Sequence, residues 1–339
     1  MKTTEVFDTY WRFAAQRQGL FMRRVAGNLP PWTDDPVLAS YRFTNVYRAA
    51  DRVSQYLIRD VLYRGEQTTE EIFFRALLFK LFNRIETWKH LDTTCGPITW
   101  KAFDFDRYAT ALDTISQLGN PIYSPAYIMP SPKFGDRRKH RNHLLLLKHM
   151  MADGAQFRVE RARSLREVFE ILRSYPSLGD FLAFQFAIDL NYSAMLDFSE
   201  MDFVVAGPGA HSGIRKCFAD TGGLDDADVI RAVTEMADRE FDRLGLSFCA
   251  LWGRPLQLID CQNLFCEVDK YARIVHPAAS GTAGRTRIKR RFTPKPKPVP
   301  QWYPPKWGLK ISEDDMNERF EKSACGAKQG ALTFNDLAE

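Results

Sequence analysis

Tyr175-Pro176-Ser177-Leu178-Gly179 is the stretch on which the reading of the fold turns. Upstream of it, Leu165, Val168, Phe169 and Leu172 recur at helical spacing, and downstream Phe181, Phe184, Gln185, Ile188 and Leu190 begin a second such pattern. Pro176 and Gly179 interrupt both patterns, so the segment predicts a tight turn joining two helices. Comparable apolar periodicity recurs over much of the chain, and the expected fold class is mainly α.

The turn has the shape of a helix-hairpin-helix loop, commonly written Leu-Pro-Gly-Val-Gly. Pro176 and Gly179 keep their places in that pattern, and Ser177 stands for the first glycine. Such a loop aims backbone N–H groups at one DNA phosphate, helped by the positive end of the following helix. Ser177 and Gly179 are therefore candidate DNA-binding positions. Glu200 lies 21 residues past Gly179 and Asp202 lies 23 past it, about the interval used by base-excising enzymes. A carboxylate beside C1′ stabilises the cationic sugar formed when an N-glycosidic bond breaks, once the base has left the stack. Asp197, Glu200 and Asp202 fall in that window; Asp202 and Glu200 are the catalytic candidates, Asp202 preferred. Phe181 occupies the position of the lysine found in strand-cleaving glycosylases, which predicts chemistry without a lyase step. One departure stands out: the run Phe203-Val204-Val205-Ala206 leads into Gly207-Pro208, and Asp202 precedes it.

Residues 5–28 read as an amphipathic helix with Phe7, Trp11, Phe13, Phe21 and Val25 on its apolar side. A helix is expected near 44–63. There Asn45, Arg48, Arg52, Gln55 and Arg59 form one polar stripe opposite Val46, Ala50, Val53, Leu57 and Val61. That stripe reads either as a solvated face or as a cleft wall of guanidinium and amide groups for a base or phosphate, with Asp51 orienting Arg48 or Arg52. Residues 69–91 predict one long core helix, 104–118 another, and Pro121–Pro132 an ordered, proline-punctuated loop. Arg137-Arg138-Lys139-His140-Arg141 opens a further helix. Positive charge there opposes the dipole preference, which favours a phosphate partner. Gly207-Pro208-Gly209-Ala210-His211-Ser212-Gly213-Ile214-Arg215-Lys216 is a glycine-rich turn opening a short helix, its amides available to a phosphate or a base edge. Helices are also expected over 225–244 and 256–271.

From Arg285 to Lys310 the chain is basic, with Arg290, Arg291, Lys295 and Lys297 among its cations. No acidic residue interrupts it, and prolines, Trp302, Tyr303 and Trp307 are interleaved. This composition suits a backbone-tracking segment that stacks on bases. The expected organisation is a helical domain over 1–280 with its hairpin near 165–192, a basic proline-rich tail over 281–311, and a mixed segment over 312–339.

The chain has 339 residues, 25 of them Phe, and a net charge of only +5, so any nucleic-acid binding must rest on local patches. No apolar run of transmembrane length and no signal peptide occurs, which predicts a cytoplasmic protein without a membrane partner. Cys95, Cys217, Cys249, Cys261, Cys266 and Cys325 lack zinc or iron–sulfur spacing, so neither metal nor cofactor is expected. The pattern GxxxxGK[ST] is absent from the whole sequence, which argues against a P-loop kinase site in this chain.

Three stretches carry a family likeness. They are Arg42-Phe43-Thr44-Asn45-Val46-Tyr47-Arg48 with Asp51-Arg52-Val53-Ser54-Gln55-Tyr56-Leu57; Phe203-Val204-Val205 with Gly207-Pro208-Gly209-Ala210 and Gly213-Ile214; and Asp260-Cys261-Gln262-Asn263 with Cys266-Glu267 and Asp269-Lys270-Tyr271. Over residues 5–275 the chain resembles the helical domain associated with phage hydroxymethyluracil DNA kinases. That family looks like a divergent branch of the helix-hairpin-helix DNA glycosylase fold. The resemblance implies a DNA glycosylase excising a bulky modified pyrimidine, such as glucosylated hydroxymethylcytosine, from phage DNA in anti-phage defence. The base pocket would draw on Asn45, Arg48, Asp51, Arg52, Gln55, Gly207, Gly209 and His211. DNA contacts would come from Ser177, Gly179, Arg137, Arg138, Lys139, Lys216, Arg290 and Arg291. The partner would be modified phage DNA; the sequence names no protein partner. Two other readings stand beside this one: a base-hypermodification transferase acting on hydroxymethyluracil in DNA, and a non-enzymatic module that binds modified DNA.

Overall fold

Residues 1–282, 284–294 and 301–311 are described by the computed structural model of the protein. Lys295, Lys297, Cys325 and the segment expected over 312–339 lie outside the described residues. Two short strands, β1 (Lys2–Thr3) and β2 (Phe218–Asp220), pair antiparallel; the remaining elements are helical.

The helices follow in chain order: α1 (Glu5–Val25), α2 (Pro36–Ser40), α3 (Arg52–Tyr56), α4 (Thr69–Phe82), α5 (Ile85–Cys95), α6 (Phe105–Gln117), α7 (Lys139–Ala152), α8 (Ala155–Glu160), α9 (Leu165–Arg173), α10 (Asp180–Asn191), α11 (Pro208–Cys217), α12 (Asp226–Glu235), α13 (Ala237–Arg243) and α14 (Leu258–Val275). Their starts follow from local chemistry. Thr4, Asp35, Asp104, Ser164 and Asp225 each accept a hydrogen bond from a backbone N–H of the turn they open. Gln257 and Asp260 close a reciprocal capping box on α14.

The chain divides into two compact units, each made of separated segments. Of the described residues, one unit holds those within 1–51, 204–301 and 308–311, and the other holds 52–203 and 302–307. In the first unit α14 packs against α1, α11 and α12. Its apolar residues Leu258, Ile259, Leu264, Phe265 and Val268 are buried together with Tyr10, Trp11 and Phe13 of α1 and Ile214 of α11. In the second unit α4 is the hub. Ile72, Phe73, Phe74, Leu77, Leu78, Leu81 and Phe82 are all at most 2% exposed, and α7, α8 and α10 pack round them. Burial on all sides explains why apolar residues are spread round α4 and not gathered on one face, with Glu71, Arg75 and Lys80 buried among them.

Three expected helices break. The segment near 44–63 becomes a 3₁₀ turn at Arg48–Ala50, an extended residue at Asp51, α3, and a π-helical stretch over Leu57–Leu62. Local bonds hold the break: the Asn45 N–H donates to Asp51 Oδ1 at 2.8 Å, and Asn45 Nδ2 donates to the Ala50 carbonyl at 2.7 Å. The stretch 69–91 is cut at Asn83, whose left-handed conformation (φ 47°) ends α4. The stretch 225–244 is cut at Met236. α9 and α10 lie on either side of the turn around residue 177 and pack on each other. Ser177 takes φ 67°, the left-handed conformation that its glycine counterpart would adopt freely.

The glycines at 209 and 213 do their work in packing. A Cβ on Gly213 would stand 2.1 Å from the Phe265 carbonyl oxygen, and one on Gly209 would stand 2.7 Å from Cys266 Sγ. These residues, four apart on α11, let its backbone lie against that of α14. A methyl at 213 meets backbone that cannot swing aside, so Gly213→Ala is expected to destabilise the fold by ~3 kcal/mol. Gly209→Ala meets a side chain and should cost less. Gly179→Ala, with nothing within 4 Å of the added carbon, should change little. Urea unfolding of the three variants checks the order.

Candidate functional site

The first unit gathers polar groups where residues 43–51 cross α1 and α14. Arg17 of α1 donates from Nε to the Thr44 carbonyl at 2.9 Å and from Nη2 to Asn45 Oδ1 at 2.6 Å. From α14, Asn263 Nδ2 donates to Thr44 Oγ1 at 2.9 Å and to the Asn45 carbonyl at 3.1 Å. Glu267 Oε2 accepts the Thr44 N–H at 3.1 Å, while its Oε1 pairs with Lys270 at 2.6 Å. Asp260 Oδ1 accepts the Arg48 N–H at 2.8 Å. Asp260, Asn263, Glu267 and Lys270 follow one another at helical steps of three and four, which puts them along one side of α14.

Asp51 is the distinctive group in this cluster. It is half-buried, its Oδ1 accepts from Asn45, and its Oδ2 accepts no hydrogen bond among the described residues. Burial pushes its carboxyl up to about 6, against the pull of the Asn45 N–H and Arg17. Burial likewise lowers the Arg17 guanidinium to about 10. A carboxyl that titrates near neutrality beside a buried cation is the arrangement expected of a proton-handling site. Glu267 and Asn263 are not among the expected site residues, although both lie in the family-like stretch 260–271. Their signal was the polar spacing on an otherwise buried helix. Arg17, on the apolar-looking first helix, gave no comparable signal.

The other expected pocket residues are placed as follows. Arg48 is buried and lies in this cluster. Arg52 and Gln55 belong to the second unit: Arg52 is exposed near Glu86, and Gln55 Oε1 accepts the Trp302 N–H at 2.8 Å. The polar stripe expected over residues 45–59 is therefore broken at Asp51. Gly207 caps α11, Gly209 packs on Cys266, and His211 Nδ1 meets Asp226 Oδ2 at 2.5 Å. Lys216 does not face outward as expected of a DNA contact. It is 5% exposed, and its ammonium is held by Asp269, which Ser212 and Arg273 also bind. The tail around 290 is not loose either: Arg42 N–H donates to the Arg290 carbonyl and Phe292 N–H to the Ser40 carbonyl, each at 3.0 Å. This pairing leaves the Arg290 and Arg291 side chains exposed, Arg291 lying 4.6 Å over the Tyr41 ring.

In the second unit the basic run at the start of α7 is partly neutralised. Asp113 holds His140 and Arg141, both at 2.6 Å, and Arg138 as well, which draws its own carboxyl well below the usual range. Arg137 is exposed and makes no ion pair among the described residues. Open concavities of about 340 and 380 Å³ flank Arg138, lined by Asp113, Ser116, Gln117, Lys139 and His140 on one side and by Gly135, Asp136, Arg137 and Arg141 on the other. The Ser177–Gly179 turn carries Asp180 in the first turn of α10, paired with Arg173. The aromatic residues expected to stack on bases are packed instead: Trp302 against Tyr63, and Trp307 against Tyr192 and Tyr303.

Glu200 is 4% exposed, whereas Asp202 is exposed, so the two carboxylates do not share one environment. Among the described residues no helix is long and apolar enough to cross a membrane, and no group of three or more His, Cys, Asp or Glu is arranged to hold a metal ion.

Comparison with known proteins corrects the chemistry. The chain is 30% identical over 289 residues to the 5-hmdU DNA kinase of Bacillus phage SP10, an alignment covering 78% of this chain and 45% of that kinase. The chain thus spans about half the length of this relative. No solved structure matches. A kinase transfers a group and hydrolyses no glycosidic bond. The expected monofunctional glycosylase, its hydrolase class and the roles of Asp202 and Glu200 in sugar-cation chemistry are therefore overturned. The profile described as "5-hmdU DNA kinase, helical domain" matches residues 4–281, and the chain belongs to that family.

Proposed function

We propose that this chain holds 5-hydroxymethyluracil in DNA as the acceptor base while its hydroxymethyl oxygen is modified, the glycosidic bond staying intact. The observation that carries this reading is the family match over 4–281, which covers the helical domain of a 5-hmdU DNA kinase. The absence of GxxxxGK[ST] supports an acceptor-side role in place of a P-loop nucleotide site.

In this reading the Arg17–Asn45–Asp51–Asn263–Glu267 cluster is the base site. Asp51 Oδ2 accepts the hydroxymethyl proton as that oxygen forms its bond to the incoming phosphoryl group, and the donor's leaving group departs with the electrons of the broken bond. Arg17 is a positioning residue, since it fixes the Asn45 amide and keeps the Asp51 carboxylate charged at neutral pH. Exposed cations supply phosphate contacts in each unit taken by itself: Arg290 and Arg291 in the first, and Arg137 and Arg138, with half-buried Lys139 and the Ser177 and Gly179 amides, in the second.

The full chain should bind duplex DNA carrying 5-hydroxymethyluracil ~10-fold more tightly than the thymine duplex, and should release no free base. Competition anisotropy and nucleoside mass spectrometry read both. Equal affinity for the two duplexes, or the appearance of abasic sites, would overturn the proposal. The preference should strengthen as pH rises from 5 to 7, because the ionised Asp51 accepts the hydroxyl, and Asp51→Asn should flatten that profile.

Stability should show the opposite slope. The folded carboxyl titrates near 6 against an ordinary 3.8, so between those values the folded state binds a proton that the unfolded chain has released. The contribution of Asp51 is full below 3.8 and is lost as pH rises through about 6. Denaturant unfolding of wild type and Asp51→Asn from pH 4 to 7 should give converging stabilities at the acid end and a relative gain for the variant at the neutral end.

A further inference from the structure

The loop between α6 and α7 carries the most exposed large apolar side chain of the described residues, Ile128, at 86% exposure. Single exposed apolar residues are common, and exposure by itself says little. The mounting of this one says more. Pro125 and Pro130 bracket it. His143 of α7 ties the loop's two ends together: the Tyr123 hydroxyl meets Nδ1 at 2.7 Å, and Nε2 meets the Pro130 carbonyl at 2.8 Å. A carbonyl only accepts, so Nε2 carries the proton and Nδ1 accepts from the tyrosine. Burial lowers this imidazole to about 4, consistent with the neutral ring that the bonding demands. Beneath the tip, Lys80 lies 4.2 Å from the Tyr127 ring, and the Tyr127 hydroxyl donates to Gln185 at 3.2 Å. The loop is held at both ends and under its tip, and Ile128 projects from a stiff support.

The surroundings of the loop are cationic. Lys139 sits 4.4 Å over the Tyr123 ring, and Asn142 binds the Phe134 and Asp136 amides, which joins the loop to the basic start of α7 with exposed Lys133, Arg137 and Arg138. Tyr127 also rests against Phe181, in the first turn of α10 and two residues past Gly179. A rigid apolar tip flanked by cations matches the chemistry of a duplex: phosphates outside, stacked bases within.

We propose that Ile128 is a wedge that enters the base stack of duplex DNA and fills the space left by an extruded nucleotide. The proposal rests on the DNA reading above and adds to it a residue that opens the duplex. Unstacking a base step costs free energy that a filling side chain offsets, so removing the filler should weaken duplex binding and leave single-strand binding alone.

The test uses the full chain with a duplex bearing one 5-hydroxymethyluracil beside 2-aminopurine, and with the matching single strand. Wild-type binding should raise 2-aminopurine emission on the duplex. Ile128→Ala should lose most of that rise, with ~10-fold weaker duplex affinity and unchanged single-strand affinity, and Ile128→Leu should restore both. A full emission rise in Ile128→Ala, or wild-type duplex binding without any rise, overturns the wedge while the DNA reading stands. Failure of the wild type to bind either DNA overturns both. Tyr123→Phe, which frees one end of the loop and keeps Ile128, should give a smaller rise than wild type; an unchanged rise removes the role given to the stiff support.

Discussion

Backbone lies against backbone where α11 meets α14, and the first unit is arranged round that contact. With a hydrogen for a side chain at 213, the Phe265 carbonyl comes closer than any Cβ would allow. The approach fixes the rotation of α14, and α14 has different work on different sides. Toward α11 it presents Cys266 and Asp269, the latter binding Ser212, Lys216 and Arg273. Toward residues 43–51 it presents Asp260, Asn263 and Glu267. A shift of the helix about its axis would misplace both sets together, because residues three and four apart move as one face.

That constraint also explains what the sequence hid. The recurrence of apolar positions at steps of three and four made the helical class legible. The glycine-rich run 207–213 looked like a phosphate loop because glycine composition reads the same whether a backbone must approach an anion or another helix. Only the partner distinguishes them, and the partner lies more than 50 residues away in the sequence. The helix expected over 44–63 failed for a related reason. Its polar spacing was genuine, but Asn45 and Asp51 bond each other's backbone segment and so compete with helical hydrogen bonding. The break turned an imagined stripe into a cluster, and the most informative carboxyl, Asp51, sits at the break.

Cations tell a parallel story. A count of basic residues marked 137–141, 216 and 285–310 alike as nucleic-acid contacts. The structure sorts them by what they already hold. Lys216 is committed to Asp269, and Arg138, His140 and Arg141 share Asp113, whereas Arg137, Arg290 and Arg291 keep their charge at the surface. Net charge gave no hint of this division, because a buried pair and an exposed pair contribute equally to the sum. The chemistry was misjudged on similar grounds. A turn and two acids at a suggestive interval described a glycosylase, but intervals along a chain carry no information about shared environment, and Glu200 and Asp202 differ in it.

Lys306 has a bearing on how the protein can be made. Its ammonium donates to the carbonyl of Asn191, the last residue of α10, and to those of Ser193 and Leu196 in the segment that follows. The second unit thus takes its closing cation from a position more than a hundred residues beyond the helix it caps. A ribosome releases that lysine only after the whole of α11 to α14 has emerged, so the carbonyls of Asn191, Ser193 and Leu196 wait for it in the meantime. The same arrangement means that a gene fragment encoding 52–203 alone produces a unit missing its final stopper, and a laboratory dissecting the two halves would have to graft the 302–307 peptide back on.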